Sequence, residues 1–156
     1  MIIMSACSGN EDTYDFDELQ MTLTNTSGEE IQLFVGNEKE LYVYFTGVYW
    51  GVCLDQLVKL NKYIDEVNKH GFTIYAISPS TIEDHEYIKE AYNLQFEILS
   101  DPDLQFGEKF RFVNLDKQEI YRGYVAVTLA TELLEKEVDY LVGDNINEVL
   151  SVLEEL

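Results

Sequence analysis

Cysteine and basic residues are scarce in this 156-residue chain. Two cysteines, Cys7 and Cys53, are too few for a disulfide-dense scaffold and show no metal-ligand spacing, so burial must hold the core and no metal is expected. Ten Lys and Arg stand against thirty Asp and Glu, and the resulting net charge of −20 repels phosphate backbones and anionic lipid head groups. Nucleic acid is thereby excluded as an expected partner. The acidic surface reads as a solubility device. No Gly-rich phosphate loop is present and no cofactor is expected. There is no internal repeat, no low-complexity segment, and no apolar run of the roughly 18 residues a membrane span requires. The two histidines do not make a zinc motif, because His85-Glu86-Tyr87-Ile88-Lys89 lacks the second histidine. Asp101 and Asp103 do not continue into a calcium loop.

What the chain does have is 46% hydrophobic and 13% aromatic residues, an ordinary globular composition of a size for one domain. The organising stretch is Leu41 to Leu60, LYVYFTGVYWGVCLDQLVKL. Leu41 to Phe45 is aromatic and branched enough for a buried strand, and Gly47 and Gly51 punctuate a turn. Leu57, Leu60, Ile64 and Val67 then recur at helical spacing, which puts Cys53 in the first turn of a helix running to the stop at Lys69-His70-Gly71. The unpaired N–H groups and positive end of a helix stabilise an anion, so a thiolate nucleophile is expected at Cys53. A lone cysteine is otherwise a small buried hydrophobe. Its place at a strand-to-helix junction raises it above that. His70 reads as a helix-end residue.

Upstream, residues 1–17 read as a flexible tail. Met4-Ser5-Ala6-Cys7 with Ser8-Gly9 resembles a bacterial lipobox, in which Cys7 would be lipidated, yet the basic and apolar signal before it is incomplete. As written the chain reads as cytoplasmic. The alternative is an extracytoplasmic lipoprotein anchored through Cys7, and a third role for Cys7 is to resolve an oxidised Cys53. Residues 18–156 form the domain. Leu19 to Phe34 alternates on either side of Ser27-Gly28, which predicts an N-terminal hairpin at the edge of the sheet. Asn25-Thr26-Ser27 fits the glycosylation sequon but reads as turn chemistry.

Phe72 to Ser78 is a second buried strand, which with the preceding strand and helix makes a parallel βαβ unit. Ser80-Thr81-Ile82-Glu83 reads as a capping box opening a helix on which His85, among Glu83, Asp84 and Glu86, falls on a solvated face. Phe96 to Leu99 predicts a short strand, Ile120 to Thr128 a longer one, Val138 to Val142 another, and Asn145 opens a last helix with Ile146, Val149, Leu150 and Leu153 on one face. The alternation is that of an α/β three-layer sandwich, a central mixed sheet flanked by helices.

VYF leading to a cysteine at a helix start, then GFTIYAIS and EILSDPDLQFGEKF, resembles the thioredoxin-fold peroxiredoxins of the alkyl hydroperoxide reductase and thiol-specific antioxidant (AhpC/TSA) family over most of the chain from Leu19. The resemblance implies a thioredoxin-like fold and a cysteine thiolate that reduces hydroperoxides with an external thiol or thioredoxin-like protein as reductant. It leaves a homodimer open as the assembly. The family motif is Pro-x-x-x-Thr-x-x-Cys. Here Thr46 stands at the proline position, Trp50 at the threonine position, and Cys53 alone is kept. Trp50 has only an N–H donor and cannot accept a peroxide proton. The segment is also similar to the Arg-Gly-x-Trp-Cys-Pro-x-Cys of a peroxiredoxin-like subgroup, with the first cysteine replaced by Trp50, which removes a dithiol and with it disulfide exchange within the motif. The family's arginine falls on Arg122 better than on Arg111, and Thr128 falls near the position of the thioredoxin cis-proline. The competing expectation is a catalytically degraded binding or redox-sensing module in which Cys53 is inert.

Overall fold

In the chain's computed structural model, which describes residues 14–48 and 51–156, a short 3-10 turn at Phe16–Glu18 leads into an antiparallel hairpin of β1 (Met21–Asn25) and β2 (Glu30–Leu33). Its turn is built by Asn25, whose Oδ1 accepts the N–H groups of Ser27 at 3.0 Å and Glu29 at 2.9 Å while Gly28 takes the left-handed conformation at φ +81°. Asn25 is only 3% exposed, so the sequon is a turn device.

The chain then enters β3 (Lys39–Tyr44), α1 (Gly51–Asn61), α2 (Ile64–Lys69) and β4 (Phe72–Ser78), with β3 and β4 parallel. The single helix expected after Cys53 is two helices, broken at Lys62-Tyr63. After them come α3 (Ile82–Ala91), β5 (Glu97–Ser100), α4 (Gln105–Lys109), the two-residue strands β6 (Val113–Asn114) and β7 (Glu119–Ile120), β8 (Gly123–Thr128), β9 (Leu133–Val138) and α5 (Ile146–Glu155). The main sheet is mixed and has the order β2-β1-β5-β4-β3-β8-β9. The hairpin forms one edge of it, as expected.

Alternation along β3 divides the core. Leu41, Val43 and Phe45 face α1, α2, α3 and α5 and pack with Cys53, Leu57, Leu60, Val67, Ile88 and Val149. Tyr42 and Tyr44 point the other way, into an aromatic layer with Phe34, Phe106, Phe110 and Phe112, where Phe106 and Phe110 lie 4.7 Å apart and Tyr44 and Phe112 5.1 Å. Helices thus lie on both sides of the sheet, giving the three-layer thioredoxin-like sandwich.

Several local expectations are corrected. The strand predicted over Ile120 to Thr128 is interrupted. Ile120 pairs with Val113 in a separate ribbon, and the chain turns through Tyr121 and Arg122 before β8 begins. The strand placed at Val138 to Val142 lies earlier, at Leu133–Val138. An edge strand paired on one side tolerates the alternating charges of LLEKEV. The cap of α3 is Thr81, which accepts from Asp84 N–H at 3.2 Å, rather than Ser80. His85 is not on a solvated face. It is fully buried, because α3 packs it onto the carboxyl ends of β4 and β5.

Candidate functional site

β3 ends as Phe45 N–H bonds the Ile77 carbonyl at 2.9 Å, and the chain leaves the sheet at Thr46 on its way to α1. Cys53, in the first turn of α1, falls on that helix's buried face with Gln56, Leu57 and Leu60 and is 1% exposed. The turn brings Thr46 Oγ1 to 3.1 Å from Cys53 Sγ, so this hydroxyl can donate to a thiolate or accept from a thiol. Antiparallel register decides what stands opposite. Tyr44 pairs with Gly123, so the residue before Gly123, Arg122, lies beside the end of β3. A Cβ on Gly123 would lie 2.0 Å from the Glu137 carbonyl oxygen and 2.8 Å from the Phe112 ring; only glycine lets β8 start here. The same register puts Thr128 opposite Lys39, at the far end of β3, so it does not face the cysteine, and the described residues contain no cis peptide.

Arg122 is half-buried and its Nε is buried without a hydrogen-bond partner. With Cys53, Gln56, Tyr140 and Val142 it lines a narrow apolar cavity. With Thr46, Gln118 and Ile120 it lines an open cleft of about 350 Å³. Arg111 is exposed on the turn after α4. Trp50 and Cys7 lie outside the described residues. The structure therefore brings Cys53, Thr46 and Arg122 to one place.

Gln56, Gln118 and Tyr140 were not picked out from the sequence. Gln56 Oε1 accepts the Asp144 N–H at 2.8 Å, and Lys59 Nζ bridges Asp144 and Asp55, the latter at 2.9 Å. Gly143 sits against this helix face, where a Cβ would meet the Gln56 carbonyl oxygen at 2.7 Å. The loop carrying Tyr140 and Val142 is thereby held over the cysteine. Tyr140 stands edge-on to Tyr124 at 5.5 Å and donates to Glu148 at 2.7 Å; burial, with Glu148 beside it, pushes its phenol well up. The available signal was Gln56 itself, a polar residue one turn after Cys53 on an otherwise apolar face.

A second polar group lies nearby. His85 Nε2 is 2.5 Å from Ser78 Oγ and Nδ1 is 2.9 Å from Ser100 Oγ, and burial pushes the imidazole down to about 4. Among the described residues no group of three or more His, Cys, Asp or Glu could hold a metal ion, and no helix is long and apolar enough to cross a membrane.

The comparisons with known proteins bear on the family and the fold. A protein of Coxiella burnetii named as a bcp peroxiredoxin is 28% identical over 118 residues, 74% of this chain and 77% of its own length. Peroxiredoxin Q of Xanthomonas campestris superposes with a TM-score of 0.79 at 18% identity, over 90% of this chain and 91% of that one. BcpB of Mycobacterium tuberculosis gives 0.77 at 11% identity, over 88% and 93%. At such identities these two structures speak for the fold, which is that of the peroxiredoxins. The model of the AhpC/TSA family matches residues 17–132, from the first 3-10 turn to the entry of β9 with Thr46, Cys53 and Arg122 inside it, and the chain belongs to that family.

Proposed function

We propose that the protein is a peroxiredoxin-like thiol peroxidase that reduces hydroperoxides through Cys53. The observation that carries the reading is Thr46 Oγ1 at 3.1 Å from Cys53 Sγ, beside the unpartnered Arg122 Nε and at the wall of an open cleft. The Cys53 thiolate attacks the terminal oxygen of the hydroperoxide, the O–O bond breaks, and the alkoxide or hydroxide leaves as the alcohol or water on taking a proton. Cys53 becomes a sulfenic acid. Two equivalents of thiol then return it, the first forming a mixed disulfide and water, the second releasing Cys53 and a disulfide.

Each neighbour has a task in this reading. The Thr46 hydroxyl does what the family's threonine does, holding the sulfur and the incoming oxygen, from a position four residues earlier in the chain than the motif places it. Arg122 stabilises negative charge as the O–O bond lengthens, and its Nε holds an unused donor for that charge. The burial of Cys53, 1% exposed, favours a small oxidant over a bulky one.

The test is consumption of hydrogen peroxide by purified protein with a thiol reductant, compared with Cys53→Ser, while the mass of the Cys53 peptide is followed. Turnover lost in Cys53→Ser, with one oxygen gained on Cys53 in the wild type, is the expected outcome. A rate no better than that of a free thiol, with Cys53 unmodified, would leave a binding or sensing module instead.

A further inference from the structure

We propose that Tyr140 is the positioning residue for Arg122, its ring confining the arginine side chain beside Cys53. The role rests on the peroxidase reading above and adds to it a residue that the family pattern does not supply, because the family match ends at residue 132. Arg122 needs such support. It belongs to no strand, standing between the end of β7 at Ile120 and the start of β8 at Gly123. Its Nε is buried without a hydrogen-bond partner, and no ion pair with a carboxylate of the described residues holds the guanidinium. A group that must meet charge developing on the peroxide has to be held to a fraction of an ångström, so packing and backbone must do the holding.

Tyr140 is tied to Arg122 itself. Its N–H donates to the Arg122 carbonyl at 3.0 Å, just past the last β8–β9 pair of Gly123 with Val138. Its side chain and Val142 line the cavity that Arg122 and Cys53 share, which at about 10 Å³ has room for no more than about one water. A long side chain against so small a void has little freedom to change rotamer. The ring is fixed in turn, edge-on to Tyr124 at 5.5 Å, with its hydroxyl donating to Glu148 at 2.7 Å. Further along, Asp144 N–H donates to Gln56 Oε1 at 2.8 Å, and a Cβ on Gly143 would lie 2.7 Å from the Gln56 carbonyl oxygen. The segment 140–144 is thus bonded to Arg122 at one end and to the helix that carries Cys53 at the other. It links the guanidinium to the sulfur. Because the hydroxyl is engaged by Glu148, the ring is what confines the arginine, and the oxygen is dispensable to that task.

Oxidation of Cys53 by hydrogen peroxide is followed by mass in the full chain, in Tyr140→Phe, Tyr140→Leu and Arg122→Met, and in the double variant that combines Arg122→Met with Tyr140→Leu. Tyr140→Leu should be about 10-fold slower than wild type, and Tyr140→Phe within about twofold of it. In the Arg122→Met protein the same Tyr140→Leu change should alter the rate by less than about twofold, because a positioning residue has nothing left to position. An equal loss in both backgrounds would overturn the proposal. A second readout does not depend on the peroxidase reading. The chain has two arginines, Arg111 and Arg122, so its nitrogen-15 spectrum holds two arginine Nε–H signals, and Arg122→Met identifies the one that matters. That signal should exchange with water at least about 10-fold more slowly than that of the exposed Arg111 in wild type and in Tyr140→Phe, and about as fast as Arg111 in Tyr140→Leu. Should Tyr140→Leu fail to fold, Gln56→Leu, which frees the other end of the segment, should speed the same exchange by about 3-fold. Slow exchange that neither variant changes would overturn the proposal. A Cys53 oxidised no faster than a free thiol would instead overturn the peroxidase reading, and the Arg122 signal would still decide whether Tyr140 holds the arginine.

Discussion

At the carboxyl ends of β3, β4 and β5 the molecule places two groups of similar chemical make-up, a hydroxyl or thiol beside a base or cation. Ser78, His85 and Ser100 form one of them. His85 is fully buried, and each ring nitrogen already faces a serine oxygen, at 2.5 and 2.9 Å. Thr46, Cys53 and Arg122 form the other. Here the sulfur has one hydroxyl partner, the arginine Nε has none, and the wall opens on a cleft. The difference teaches that residue type alone does not mark a site. Access and a polar group with unused capacity do, and a sealed, satisfied network serves the fold.

The comparison can be broken by experiment, beginning with the largest effect. His85→Ala orphans two buried hydroxyls and leaves a cavity, so unfolding in urea should show a loss of about 3 kcal/mol or more. The rate of Cys53 oxidation per folded molecule should stay within about twofold. A parallel loss of rate would merge the two groups into one. The same network should respond to pH. The His85 imidazole titrates at about 4 when folded against its ordinary 6.5 when unfolded, so its contribution is present above 6.5 and lost as pH falls toward about 4. The loss is up to about 3 kcal/mol, and His85→Asn should flatten the stability curve in that window where Cys53→Ser leaves it.

On the other side, Arg122→Met should slow Cys53 oxidation by about 100-fold, about 2.7 kcal/mol, with little change in unfolding. A protein that unfolds early but reacts at the wild-type rate would assign Arg122 to the fold. Glu40 sharpens the contrast as a buried group that is not satisfied. It is 5% exposed, its Oε2 lacks a partner, and burial with Glu38 nearby pushes its carboxyl up from 4.5 to about 7. A raised acid costs stability as pH climbs from 4.5 through about 7, the reverse of His85. Glu40→Gln should therefore gain about 2 kcal/mol at about pH 8 and nothing at about pH 5, by thermal unfolding. The smallest expected effect is Thr46→Val, about 10-fold slower oxidation or about 1.4 kcal/mol, with Thr46→Ser staying close to wild type because the hydroxyl returns.

Much of the fold was legible because its signals are local. The hairpin was announced by Ser27-Gly28, β3 and β4 by unbroken apolar runs, and α5 by Ile146, Val149 and Leu153 at helical spacing. β9 was displaced because pairing with β8 outweighs the preference of its alternating charges. Of the site, Cys53 was legible as a thiol in the first turn of a helix. Thr46 and Arg122 were named by their motif positions, and His85 was misplaced because its acidic neighbours in sequence point away from the face it occupies.

By itself the sequence determined the alternation of strands and helices through the middle of the chain, the excess of acidic charge and the position of Cys53 in the first turn of its helix, because each depends on spacing or composition within a segment. Tertiary structure alone decided that Thr46 folds back to within 3.1 Å of the sulfur, that Gly123 and its register bring Arg122 beside the end of β3, and that His85 is sealed between two strands. These are contacts between residues distant in the chain. Their geometry is set by strand pairing and helix packing, which no single segment encodes.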